Sequence, residues 1–201
     1  MPFAAFVGWG GAVLGTLTSA AQLVRVHRHG ADGVNATTWS LFLCMSGFWL
    51  AYGVAVRSPE IVVASLAGAP FNVALLARLA RRDRRRGLWH ATCAVAGVTV
   101  LPAVLFGWDA GLLGIGVLVV ATRAPQLVQL VRARHAHGVS VGSWSLGVTS
   151  VGLWLAYYVS TSQRAAAWTM TAALACNLTI VSLTLLRHRV AAARVASALA
   201  A

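Results

Sequence analysis

The sequence predicts an all-α membrane protein of seven transmembrane helices, built as two parallel three-helix bundles joined by a linker helix. Three observations lead there. Hydrophobic residues make up 59% of the 201 positions and charged residues 10%, with a mean hydropathy of +0.76, whereas soluble domains carry about 25% charged residues. The sixteen arginines punctuate long apolar runs. A stretch in the first half recurs in the second at a constant shift of 105 residues. A span needs about 20 mostly apolar residues, so the length accommodates seven spans with short loops and no large soluble domain.

Apolar runs between charges predict helices over residues 3–24, 38–56, 60–80, 88–107, 110–131, 143–160 and 165–186. The opening Met-Pro-Phe-Ala-Ala-Phe-Val lacks a basic segment and leads straight into a full-length apolar stretch, so it reads as a first span and not a cleaved signal peptide. Grouping alternate loops places thirteen arginines on one side (positions 25, 28, 78, 81, 82, 84–86, 132, 134, 187, 189 and 194) against Arg57 and Arg164 on the other. Cytoplasmic loops retain basic residues, which predicts a cell-membrane protein with its N-terminus outside and its C-terminus in the cytoplasm. Trp39, Trp89 and Trp144 open spans on the inner side while Trp108 and Trp168 sit near outer ends, as belt aromatics do. The run Arg81 to Arg86 reads first as a topology determinant and second as a contact for anionic lipid.

The net charge of +12 is not that of a nucleic-acid binder, because the basic residues do not share a water-exposed face. Cys44, Cys93 and Cys176 all fall inside apolar runs with neither disulfide nor zinc-ligand spacing. The histidines at 27, 29, 135, 137 and 188 read as solvated inner-side residues, with a His-x-His metal site as the minor alternative. No nucleophile-base pair, phosphate loop or metal motif stands out, so neither an enzyme nor a cofactor is expected.

The repeat sets the architecture. Residues 33–54 match 138–159 at eleven of twenty-two positions, including Gly33/Gly138, Trp39/Trp144, Ser40/Ser145, Gly47/Gly152, Trp49/Trp154 and Tyr52/Tyr157. The same shift lays Asn72 on Asn177, and a shift of 104 lays residues 19–24 on 123–128. Each repeat spans three helices, residues 1–80 and 108–189, around an unmatched linker at 87–107, with a tail at 190–201. An odd unit plus one linker span returns the second copy to the orientation of the first, so the units are parallel and related by an axis along the membrane normal.

With these residues the chain resembles the PQ-loop superfamily, and specifically the seven-helix SWEET sugar facilitators, whose fold duplicates a three-helix SemiSWEET unit. The likeness covers nearly the whole chain. It rests on Ala124-Pro125-Gln126-Leu127 with its degenerate partner Ala20-Ala21-Gln22-Leu23, and on Trp-Leu-Ala-Tyr at 49–52 and again at 154–157. It implies that Trp49 and Trp154 line a sugar pocket, with Tyr52 and Tyr157 beside them. Helix geometry agrees on depth, because each of these Trp lies ten residues beyond an inner-side Trp, or about 15 Å into the bilayer. The family's pocket asparagine maps either to Asn72 and Asn177, twenty-three residues after the Trp, or to Ser65 and Met170, sixteen after it. Pro125 removes a backbone hydrogen bond and is the expected hinge of the fifth span. Gln126 and Gln22 are expected near the inner gate. Neither second helix carries the proline usual in sugar-transporting relatives.

Arg123 stands alone as a charge well inside a span, which implies an anionic solute group or a carbonyl-lined gate, or a side chain that snorkels to the inner surface. Proton coupling requires an acid on the path, and Asp32, Glu60, Asp83 and Asp109 all map to loops or span ends. The expected activity is therefore passive, alternating-access movement of a small polar solute, a mono- or disaccharide. The alternatives are carriage of another small metabolite or amino acid, polar or anionic, and a non-transporting receptor of the same design. The expected partners are the solute and the bilayer, with no nucleic acid; homo-oligomers are left open.

Overall fold

The computed structural model describes residues 2–30, 35–132 and 141–200; Asp32, Arg134, His135, His137 and the repeat pair Gly33/Gly138 lie outside the described residues. Among the described residues the chain forms eight α-helices and no strand: α1 (Pro2–His29), α2 (Ala36–Ala55), α3 (Pro59–Ala77), α4 (Arg81–Val95), α5 (Leu101–Phe106), α6 (Trp108–Arg132), α7 (Val141–Ser160) and α8 (Arg164–Ala200), with a π-helical turn at Ala96–Val100. Five helical rods are long and apolar enough to cross a membrane: Pro2–Arg28, Ala36–Ala55, Pro59–Ala77, Arg81–Phe106 and Arg164–Val190.

Two elements differ from the sequence expectation. The fourth rod starts at Arg81, not at residue 88, because arginine is a good helix former and the basic run supplies the first turns of α4. It is also interrupted. Pro102 has no N–H to give to the Val98 carbonyl, and the backbone passes through a π turn in which the Leu101 N–H reaches the Ala96 carbonyl. The freed Val98 carbonyl points at α6, where a Cβ added to Gly114 would lie 1.8 Å from its oxygen. Similarly, α8 runs to Ala200 where a tail was expected after residue 189, since its Ala- and Arg-rich end has strong helix propensity.

Local capping fixes the ends. Asn35 caps α2 by accepting from the Thr37 and Thr38 amides at 2.8 and 3.2 Å. Ser58 caps α3, with Pro59 in the first turn. The connections α2–α3 and α7–α8 close in the same way. Ser58 N–H donates to the Gly53 carbonyl and Gln163 N–H to the Tyr158 carbonyl, five residues back in each case, across a left-handed residue, Arg57 (φ 55°) or Ser162 (φ 60°). Each of these pairs is related by the shift of 105 found in the sequence.

The helices pack in a closed circuit. α1 lies on α3, α3 on α2, α2 on α4, the π turn and α5 on α6, α6 on α8, α8 on α7, and α7 back on α1. The third helix of each repeat thus touches both the first and the second. α1 and α7 run antiparallel, with Gly8 facing Tyr157, Gly11 facing Trp154 and Gly15 facing Ser150. α1 and α3 run side by side in the same direction, as Gly8 beside Glu60 at one end and His27 beside Arg78 at the other require. α6 and α8 do likewise, from Leu112–Thr169 at one end to Val131–Arg187 at the other.

Polarity is distributed as in a protein dissolved in lipid. Large apolar side chains cover the outside, with Phe106 78%, Val104 76% and Phe6 76% exposed. Water-soluble monomers rarely tolerate such a surface. The interior instead holds Ser40, Asn72, Thr99, Ser150, Thr169, Asn177 and Thr184, all buried, which is where hydrocarbon forces polar groups to go.

Candidate functional site

The two repeat-related indoles meet at a third ring, that of Tyr158. Trp49 stacks on Tyr158 with centroids 5.7 Å apart and planes 20° apart, and Trp154 stacks on the same ring at 5.7 Å and 23°. Tyr52 and Tyr157 meet their own Trp edge-on at 5.9 and 5.5 Å. Neither Trp49 nor Trp154 belongs to the exposed set, whereas Trp89 and Trp168 are 69% and 68% exposed, as belt residues are. The slot between the indoles is filled by Tyr158, which is 2% exposed and whose hydroxyl makes no hydrogen bond among the described residues. Tyr158 did not emerge from the sequence comparison. Its counterpart at the shift of 105 is Gly53.

The two tyrosines of the Trp-Leu-Ala-Tyr segments reach across to the opposite repeat. Tyr52 hydroxyl donates to Gln163 Oε1 at 2.7 Å, in the connection before α8. Tyr157 hydroxyl lies 2.8 Å from Ser58 Oγ, in the connection before α3. Ser58 Oγ donates to Glu60 Oε2 at 3.0 Å, which leaves the Tyr157 hydroxyl as donor to Ser58 at 2.8 Å and, at 3.5 Å, to the same Glu60 oxygen. Ser58 and Gln163 are themselves separated by 105 residues. One end of the molecule is therefore fastened by two reciprocal links, each running from one repeat to the other. At the opposite end the links described stay within a repeat: Arg78 Nη1 to His27 Nδ1 at 3.1 Å and Arg187 Nη2 to the Val131 carbonyl at 3.0 Å. Midway, Ser150 Oγ donates to the Gly11 carbonyl at 3.1 Å, joining α7 to α1.

The asparagines differ from one another. Asn177 accepts from Arg123 Nε at 2.7 Å, and its amide nitrogen lies 3.5 Å from where a Cβ on Gly147 would be. Asn72 is 5% exposed, and its Oδ1 has no partner among the described residues. Gly147 lies seven residues before Trp154 on α7, so the Asn177 level is about 10 Å below the indoles. Of the other candidate pair, Ser65 returns its hydroxyl to the Ile61 carbonyl at 2.8 Å, and Met170 packs against the aromatic cluster. Gln22 is half-buried and makes no hydrogen bond among the described residues. The side chains of Pro125 and Gln126 lie outside the described residues.

Among the described residues no group of three or more His, Cys, Asp or Glu comes together, and the cysteines are free. An open apolar cleft of about 480 Å³ lies between α2 and the rod Arg81–Phe106, with Gly47, Phe48, Val104 and Trp108 on its walls. It faces outward and has no charged lining. No protein-family model matches the chain, and no curated protein matches it.

Proposed function

We propose that the protein is a passive facilitator that moves a small polar solute of mono- or disaccharide size across the cell membrane by alternating access. In this reading seven spans form two parallel three-helix units, α1–α3 and α6–α8, with the α4–α5 rod as the linker, the N-terminus outside and the C-terminus cytoplasmic. The shared direction of α1 and α3, and of α6 and α8, against the antiparallel α1–α7 contact supports that arrangement. The resemblance to the SWEET facilitators points the same way.

One observation carries the proposal: the reciprocal fastening of the outer end by residues that the repeat itself relates, Tyr52 to Gln163 and Tyr157 to Ser58. Each unit holds the other at the same pair of positions, so rocking about the approximate axis breaks both links together. Repeat-built transporters use that motion around a fixed site near the bilayer midplane. In this reading the Trp49–Tyr158–Trp154 stack is that site, and Tyr158 keeps the slot closed until a solute ring takes its place. An indole face offers apolar surface to the carbon face of a sugar ring, with hydroxyls left to polar neighbours, which makes for a selective but weak site.

The test is counterflow of labelled D-glucose and sucrose in proteoliposomes. The reading predicts saturable exchange that Trp154→Ala reduces by at least tenfold while the protein stays monodisperse. Saturable binding with no flux of any solute would instead make the chain a receptor.

A further inference from the structure

Arg123 is the half-buried charge of α6, nine residues from the inner end of that helix, or about 13 Å deep. Its Nε–H donates to Asn177 Oδ1 at 2.7 Å, and Nη1 donates to the Val119 carbonyl at 3.1 Å and to Thr122 Oγ1 at 3.3 Å. All three acceptors are neutral, and no carboxylate pairs with Arg123 among the described residues. Nη2, with its two N–H groups, has no partner among them. A positive charge held in this way in a membrane interior is costly unless something anionic balances it.

The fold does not require the charge. By the repeat, Ser19 stands in α1 where Arg123 stands in α6, and Asn72 stands in α3 where Asn177 stands in α8. The first unit makes the same helix-to-helix approach with no guanidinium, leaving Asn72 Oδ1 buried and unpaired. Asn177 is 2% exposed and lies between α6 and α7, so it is turned to its helix neighbours and not to lipid. Its hydrogen bond fixes the guanidinium plane and leaves the Nη2 edge without a partner among the described residues. A guanidinium held rigid with an open edge is suited to a carboxylate, which it addresses through parallel N–H···O bonds. In the other unit the buried Asn72 Oδ1, without a partner among the described residues, is an acceptor that a hydroxyl donor would satisfy.

We propose that Arg123, oriented by Asn177, is a carboxylate-recognition site on the inner half of the solute path. The natural solute is then a small hydroxylated carboxylate, such as a sugar acid, taken in preference to a neutral sugar of the same size. This deepens the transport reading and rests on it for the word "path"; the binding chemistry stands without it.

The test uses the full chain and two probes, D-glucuronate and D-glucose, with binding to detergent-purified protein measured by calorimetry and flux measured separately by counterflow in proteoliposomes. Glucuronate binds and exchanges in the native protein. Arg123→Gln weakens its binding at least tenfold, and Arg123→Lys by less. Asn177→Asp is the second variant: it keeps the arginine but supplies a carboxylate beside Nε, so it folds, neutralises the charge internally and also loses glucuronate binding. Glucose exchange unaffected by excess glucuronate and by Arg123→Gln would overturn the inference while leaving the transport reading intact. Arg123-dependent glucuronate binding without flux of either probe would sustain the site and remove the transport reading. No glucuronate binding to the native protein overturns the inference outright.

Discussion

Removing the two phenol hydroxyls that join the repeats, by Tyr52→Phe with Tyr157→Phe, leaves the aromatic packing in place and deletes the 2.7 Å bond to Gln163 and the 2.8 Å bond to Ser58. A neutral hydrogen bond of this kind contributes about 1 kcal/mol net. The two bonds share no partner, and under the proposed rocking they break together, so their loss sums to about 2 kcal/mol and raises the ratio of open to closed states at that end about 30-fold. The connections carry suitable reporters, since Arg57 and Ser162 are exposed and repeat-related. With Cys44, Cys93 and Cys176 replaced by Ala, spin labels at Arg57→Cys and Ser162→Cys report the separation of the outer ends by pulsed electron resonance in lipid nanodiscs. The native background gives one dominant short distance, and the double Phe variant gains a longer-distance population. Ser46→Ala, which removes a hydroxyl bonded only to the Phe42 carbonyl of its own helix, leaves the distribution unchanged. An unaltered distribution in the double Phe variant would refute the idea that these links hold the outer end shut.

Gly114→Ala drives a methyl group to within 1.8 Å of the Val98 oxygen, and overpacking of that kind costs about 1–3 kcal/mol, so the melting temperature in detergent falls. Gly152→Ala meets nothing within 4 Å and gains up to about 1 kcal/mol of helix propensity, so its melting temperature holds or rises; the opposite order for the pair would contradict the close α6 approach to the π turn. Arg57→Gly relieves a left-handed backbone at φ 55° and stabilises the α2–α3 turn by about 0.5–1 kcal/mol, measured by the same melt, and destabilisation there would count against the turn as described.

Much of this was legible because duplication writes the same local physics twice. The identities from Trp39/Trp144 to Tyr52/Tyr157 marked the second helix of each unit, and the indoles at Trp49 and Trp154 both stack on Tyr158. What escaped was asymmetric or unlike between the copies. Tyr158 was invisible because its repeat partner is Gly53, so the comparison registered a mismatch at the residue that fills the slot. Ser58 and Gln163 were missed because they are different amino acids just past the matched stretch, and their equivalence lies in the backbone turn and in the tyrosine each receives. Asn177 and Arg123 were each singled out, yet their pairing joins helices 54 residues apart and follows from no periodicity. The π turn did have a signal, Pro102 within an apolar run, but a proline announces a lost hydrogen bond without saying whether the helix kinks or widens. The basic run at the start of α4 read as a loop because hydropathy falls there, although charge and helicity are compatible.

The central claim is that the slot between the two indoles, now held by Tyr158, is a station open to each side of the membrane in turn. Tyr158→Cys in a background without other cysteines tests it directly, with a sulfonated, membrane-impermeant thiol reagent applied to right-side-out and to inverted vesicles. The account predicts modification from both faces, slowed by the transported solute in each case. A thiol at 158 that stays unmodified from both faces, or that reacts at a rate the solute does not change, would contradict it.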